Sequence, residues 1–285
     1  MTDPPRGEGE WLRRHRISPR KRWGQNFLIQ PPVADGLVRS MRLGPGDPVL
    51  EIGPGAGALT RALLGSGRLV HAFEVDARLV ALLRERFASE LDAGRLDLHG
   101  ESILAADPSH LGDARAGRVF LAGNLPYAIT TPILLWMLAN RRTFSGAALL
   151  MQREVAERLA AHPGNRTYGS ITVWIGYHAG VRRLARVEPG AFWPAPRVDS
   201  TLLGFDFHRA PPVDAGEPAW LERVLAVAFG QRRKMLRAVF ASALGDPRRA
   251  ASLLEEAGID PTRRAESLDL EAFASLARAI GPRLP

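Results

Sequence analysis

The 285-residue sequence contains no cysteine. That excludes a disulfide framework, a thiolate metal site and a thiol nucleophile. Its seven histidines are scattered and never fall into a metal-binding spacing such as H-E-x-x-H. His99, His110, His162 and His178 read as surface or strand-end residues, and no metal is expected. No run of 18 apolar residues occurs, so nothing is expected to span a membrane. The first 22 residues carry basic charge with no apolar core behind it, which argues against a secretory signal. Asp3, Glu8 and Glu10 argue against an organellar presequence, leaving a cytoplasmic location as the expectation. Lysine is nearly missing: among 38 basic residues only Lys21 and Lys234 are lysines, and both lie in the densest basic segments. Against 30 acidic residues the formal charge is +8, which fits a polyanionic partner. The arginine excess is not counted as recognition, because genome composition alone is enough to produce such an excess.

What is present is a sizeable core-forming fraction, 46% hydrophobic, in a chain long enough for one large α/β domain and a smaller one. The chain is organised around Val49-Leu50-Glu51-Ile52-Gly53-Pro54-Gly55-Ala56-Gly57-Ala58-Leu59-Thr60. A short apolar run enters a glycine turn and then opens a helix, the pattern of a nucleotide-cofactor loop after a first strand. Gly53, Gly55 and Gly57 permit a sharp turn and close approach to a ligand. Such a turn also simply connects elements. The next strand, Arg68 to Phe73, ends in Glu74, 21 residues after Gly53, where a carboxylate is placed for ribose hydroxyls. Asp76 reads as the N-cap of the following helix. Pro54 and Glu51 depart from a plain G-x-G-x-x-G, and the turn alone leaves dinucleotide and S-adenosylmethionine both open.

Helices are expected at about 33–41, 58–64, 77–87 and 132–138. They alternate with strands at 49–52, 69–73, 95–99, 119–122 and 147–151, which implies a parallel sheet covered on both faces. Residues 170–178 and 181–187 then read as two strands of a hairpin, and 201–208 as a further strand. That ending suits a class I methyltransferase sheet better than a dinucleotide double half. The expected organisation is a flexible basic arm at 1–20, an α/β domain at 21–208 and a linker at 209–216. A helical domain follows at 217–285, with helices at 218–229, 232–243, 247–257 and 270–280.

Asn124-Leu125-Pro126-Tyr127 follows a central strand, at the sheet edge where ligands bind. An ordinary turn is one reading. Another is recognition of an adenine amine, whose lone pair is delocalised into the ring. Two acceptors on its N–H groups, the Asn124 side chain and the Leu125 or Pro126 backbone carbonyl, would draw it toward a pyramidal, attacking geometry. Tyr127 offers a face on which a flipped base stacks. No strong general base is needed, because the nitrogen becomes acidic after attack.

These stretches resemble the ribosomal RNA adenine dimethyltransferase family over roughly residues 20–280. Further matching segments are Lys21 to Leu28, Thr131-Pro132-Ile133-Leu134, Gln152 to Leu159, Phe192 to Ser200 and Gln231-Arg232-Arg233-Lys234. The resemblance implies a Rossmann-like class I fold, S-adenosylmethionine as cofactor, and cofactor contacts from Gln25, Asn26, Leu28, Gly53, Gly55, Glu74, Val75 and Asn124. It places Tyr127 beside the target base and Phe192 opposite it in an aromatic clamp. The family's Gly-Asp pair after the third strand is here Gly100-Glu101, followed by Ser102. Glu101 would keep the contact to the cofactor adenine, or Ser102 would replace it.

Lys21, Arg22, Arg232, Arg233, Lys234 and Arg237 are candidate RNA contacts, against the ordinary alternative of a solvated helix face. Within the family, Gln231 to Lys234 and Arg264 to Leu268 resemble the class that dimethylates two adjacent adenines in a hairpin near the 3′ end of small-subunit rRNA during ribosome maturation. A monomer acting on an assembling 30S subunit is the expectation. A large-subunit adenine methyltransferase, a non-catalytic assembly factor and a nicotinamide-dependent oxidoreductase are the alternatives.

Overall fold

A computed structural model of the chain describes residues 8–15, 17–20, 24–108, 118–126 and 129–284. The sequence-predicted contacts of Lys21, Arg22 and Tyr127, and His110, lie outside the described residues. The chain divides into two compact units, one of residues up to Ala156 with Arg182–Phe207, the other of Glu157–Val181 with His208–Pro285.

The first unit carries β1 (Phe27–Leu28), α2 (Pro31–Ser40), β2 (Val49–Ile52), α3 (Ala58–Gly65), β3 (Val70–Phe73), α4 (Ala77–Arg86), α5 (Ala88–Asp92) and β4 (Leu96–His99). It continues with β5 (Val119–Asn124), α6 (Thr130–Ala139), β6 (Phe144–Gln152), the two-residue β8 (Phe192–Trp193) and β9 (Ser200–Phe207). β1 and β8 pair antiparallel as a separate two-stranded sheet, and the other strands, with β7 (Ala179–Val187), make a seven-stranded sheet of order β4-β3-β2-β5-β6-β9-β7. β2 pairs in parallel with both β3 and β5, and β6 pairs in parallel with β5. The central parallel strands β2 and β5 are buried on both faces, which is why β5 reads as an apolar run up to Asn124 and β2 as one broken only by Glu51. Only β9 runs antiparallel to β6.

The order reverses at β2, the first strand of this sheet, with β3 on one side and β5 on the other. Ligands bind outside the carboxyl ends of strands at such a reversal. Gly123 permits the close approach of β5 there, since a Cβ on it would fall 2.8 Å from the Ile52 carbonyl oxygen.

The structure departs from the sequence expectations at four places in the fold. Residues 170–178 form a helix, α8 (Ser170–His178), not a strand. Thr172-Val173-Trp174-Ile175 has strand-like composition, but tertiary packing overrides propensity. Val173 and Tyr177 lie in one core with Leu221 and Val224, and Thr172 Oγ1 caps the helix, accepting from Gly169 N at 3.1 Å and donating to the Arg158 carbonyl at 2.7 Å. The expected strands at 181–187 and 201–208 are present as β7 and β9, and β9 lies between β6 and β7 in the sheet. For the same reason residues 157–181 group with the helical unit, and neither the 21–208 nor the 217–285 boundary describes the units. His178, expected at the surface, is buried with its ring edge-on to Trp174 at 4.6 Å.

The described part of the 1–20 arm is folded. α1 (Glu8–Arg14) buries Leu12 fully, in a cluster with Ile17, Phe27, Ala56, Leu79 and Leu82. The Arg86 guanidinium sits 4.6 Å over the Trp11 ring.

The second unit adds α9 (Pro218–Gly230), α10 (Leu236–Leu244), α11 (Pro247–Glu256) and α12 (Leu270–Ile280), whose apolar faces share one core. α11 shows how its sequence starts and stops it. Asp246 caps the first turn by accepting from Arg248 N and Arg249 N, Pro247 sits at the first position, and Gly258 follows the end at φ +72°. Gln231 to Lys234 forms a turn ahead of α10 and does not open that helix, since Lys234 N donates to the Gln231 carbonyl and helical geometry begins at Leu236.

Candidate active site

The glycine turn after β2 is built from backbone that only glycine adopts comfortably. Gly53, Gly55 and Gly57 have φ of +65°, +58° and +88°, in the left-handed region. Gly57 is also sterically required, since a Cβ there would lie 2.6 Å from the Phe87 ring. The turn is pinned by Gly53 N–H donating to the Phe73 carbonyl at 3.0 Å and Gly55 N–H donating to Glu74 Oε2 at 3.3 Å. Glu74 Oε1 accepts from Asp76 N at 2.9 Å. This carboxylate is buried, and burial raises its pKa, against the pull of the Asp76 and Gly55 N–H groups. Asp76 caps α4 as expected, accepting from Arg78 N. Its own burial favours the neutral acid, but the Arg78 side chain and N–H, then Gln25, outweigh that and lower its pKa.

One turn-side acid is different. Glu51 is 1% exposed, and burial pushes its pKa up to about 8, with Thr60 opposing and the Glu74 charge adding to the rise. At neutral pH it is a neutral acid.

These elements line a pocket of about 290 Å³. From the segment at β1 come Gln25, Asn26 and Leu28; from the turn Gly53 and Gly55; from the end of β3 Glu74 and Val75. Glu101 and Ser102 lie beyond β4, and Asn124, Leu125 and Pro126 close the far side. The structure thus brings together every residue assigned from the sequence to cofactor contact. Val75 is the informative one, because an aliphatic side chain 54% exposed in a pocket wall is available to an apolar ligand face. Phe73, Ile103 and Ile129 also line the pocket and were not singled out in the sequence. The apolar Ile103 directly after Gly100-Glu101-Ser102 was the available signal.

Asn124 is aimed by a single bond. Its Nδ2 donates to the Asn26 carbonyl at 3.0 Å, which leaves Oδ1 as the accepting edge. The carbonyl of Pro126 is already engaged by Ile129 N and Thr130 Oγ1, both at 3.2 Å. Of the two backbone acceptors left open by the sequence, Leu125 is therefore the one not used by the start of α6. Ser102 Oγ accepts from Leu104 N at 3.3 Å, capping a short 3₁₀ turn, which leaves one lone pair and its proton for a ligand.

Phe192 does not stand where the clamp requires. It is 3% exposed, packs in the core cluster with Leu28, pairs with Leu28 across β1 and β8, and is not among the pocket-lining residues. Alternation in the short strand turns Phe192 inward and leaves Trp193 to stack on Phe27 at 6.4 Å. Among the RNA candidates, Arg232, Arg233, Lys234 and Arg237 are exposed, but Arg232 is occupied: its Nη2 donates to the Tyr168 carbonyl at 2.7 Å and the Arg166 carbonyl at 3.1 Å.

The family model described as ribosomal RNA adenine dimethylase matches residues 16–281. The chain belongs to this family. A relative in Magnetococcus marinus, named ribosomal RNA small subunit methyltransferase A, is 43% identical over 95% of each chain. A dimethyladenosine transferase from Plasmodium falciparum shares the fold with a TM-score of 0.73 at 22% identity, over 89% of this chain and 97% of that one. The 23S rRNA methyltransferase ErmE aligns with a TM-score of 0.66 at 25% identity, over 89% of this chain and 99% of that one. The dimethylase family and its Rossmann-like class I architecture replace the dinucleotide alternative left open by the glycine turn.

Proposed function

We propose that this dimethylase transfers methyl groups from S-adenosylmethionine to N6 of two adjacent adenines in small-subunit rRNA, giving N6,N6-dimethyladenosines. The observation that carries the reading is Asn124, oriented by the Asn26 carbonyl at the mouth of a pocket that also holds the glycine turn and buried Glu74. The small-subunit class follows the naming of relatives such as the one in Magnetococcus marinus. The substrate adenines lie in a hairpin near the 3′ end of the RNA, presented in an assembling 30S subunit, and the protein acts there as a monomer.

The pocket residues fit the cofactor. Glu74, as a carboxylate, would accept from the ribose hydroxyls, Val75 and Ile103 would flank the adenine ring, and Glu101 or Ser102 would meet its amine. Asn26, Leu28, Gly53, Gly55 and Gln25 surround the amino-acid end. When bound, S-adenosylmethionine supplies an electrophilic methyl on a sulfonium. Asn124 Oδ1 and the Leu125 carbonyl accept from the two N–H groups of the unmethylated amine, and one of them from the single N–H left for the second transfer; they align its lone pair and stabilise the positive charge that develops on nitrogen. Pro126 holds the turn, and Tyr127 supports the flipped base. Phe192 acts indirectly, as packing behind Leu28. Each transfer releases one amine proton, which water takes up, so no side-chain base is required.

The test is transfer of labelled methyl to unmodified small and large ribosomal subunits. Label in the small subunit supports the assignment. Label confined to the large subunit would move the chain to the activity named for ErmE, and RNA binding without label would leave an assembly role.

A further inference from the structure

His71 on β3 and Asp97 and His99 on β4 form a cluster the methyl-transfer scheme does not use, and none of the three lines the pocket. The parallel register sets His71 beside Asp97, and Asp97 and His99, two apart on one strand, share a face. Asp97 Oδ2 lies 3.4 Å from His71 Nδ1 and 3.0 Å from His99 Nε2, and one donor atom of each residue falls within 4.8 Å of the others. Three donors about 2.0–2.2 Å from one ion stand roughly 3–3.5 Å apart, so the two measured separations already match a shared ion.

The hydrogen bonding here is incomplete. His71 Nε2 and His99 Nε2 are buried without a hydrogen-bond partner, although His99 Nε2 is close to Asp97. The His99 ring is fixed by stacking on Phe73 at 4.3 Å and 8°. The Asp97 side chain is 56% exposed, leaving the outer side of the cluster open to water.

We propose that His71, Asp97 and His99 bind one divalent transition-metal ion of the zinc class, with water completing its shell. Two imidazoles and one carboxylate favour zinc, nickel or cobalt over magnesium or calcium, which take oxygen donors. The ion would tie β3 to the edge strand β4, just before Glu74 and Glu101. Spacing along the sequence could not reveal this set, because its members meet only through strand pairing.

Titration of the full chain with zinc chloride, followed calorimetrically and by melting temperature, tests the site. One ion per chain and a raised melting temperature are expected. Asp97→Asn and His71→Asn should each weaken binding by at least about tenfold, since losing a ligand costs no less than losing its outer-shell support. Asp97 is largely exposed, so its variant keeps the fold, as circular dichroism would verify. No stoichiometric uptake by the unaltered chain, or unchanged uptake by both variants, would overturn the proposal and leave a bare His–Asp–His strand contact.

Discussion

Asn124 and Glu51 occupy the same strand ends and carry opposite demands. Asn124 must present an acceptor, so Asn124→Ala should lower methyl transfer by about 10²-fold or more while RNA binding stays largely intact. Single-turnover transfer beside an RNA-binding titration checks this, and parallel loss of both would contradict the assigned role. Glu51 costs stability as pH rises. Below its ordinary value of 4.5 both the folded and unfolded chains hold the proton; above it the unfolded chain loses the proton while the folded one keeps it up to about 8. Stability should fall over that window by at most about 1.4 kcal/mol per pH unit. Glu51→Gln removes the term, so urea midpoints of variant and parent should diverge from pH 5 to pH 8; parallel curves would contradict a buried neutral acid. At this scale much was legible. Gly53, Glu74 and Asn124 are read from strand-end position and residue chemistry alone. Phe192 was not, because the facing of a residue in a two-residue strand is decided by its partner, here Leu28.

Elements show where local rules suffice and where they fail. The glycine turn follows from φ alone: at Gly57, Gly57→Ala adds left-handed strain to a clash with Phe87 and Leu83. About 2–4 kcal/mol of destabilisation is expected, measured by denaturant unfolding, whereas the same change at an exposed helix glycine should stabilise by up to about 1 kcal/mol. α12 is legible end to end because its period, its Asp269 cap and its basic last turn agree. α8 is illegible for the converse reason, its β-branched residues being turned into a helix by a core assembled from distant chain. The basic turn at Arg232 to Lys234 follows the C-terminus of α9, where cations are favoured, so its charge alone does not imply phosphate. Arg232 is engaged with backbone carbonyls, which leaves Arg233 and Lys234 as this turn's candidates for RNA contact. Replacing Arg233 and Lys234 by serine should lower the salt slope of RNA binding by about 1–2, whereas Arg232→Ser should chiefly destabilise the turn. An unchanged slope in the double variant would remove this turn from the RNA interface.

Across the whole molecule, alternating strands and helices followed by helices alone conveyed both units, but not that residues 157–181 cross from one to the other. No helix among the described residues is long and apolar enough to cross a membrane. The family match names the reaction, and the glycine turn, Glu74 and Asn124 line the pocket proposed for it. Mass mapping of small-subunit rRNA after incubation with S-adenosylmethionine measures it most directly. The account predicts two neighbouring adenines, each carrying two added methyl groups. A single modified adenine, methylation at another base, or modification restricted to large-subunit rRNA would contradict it.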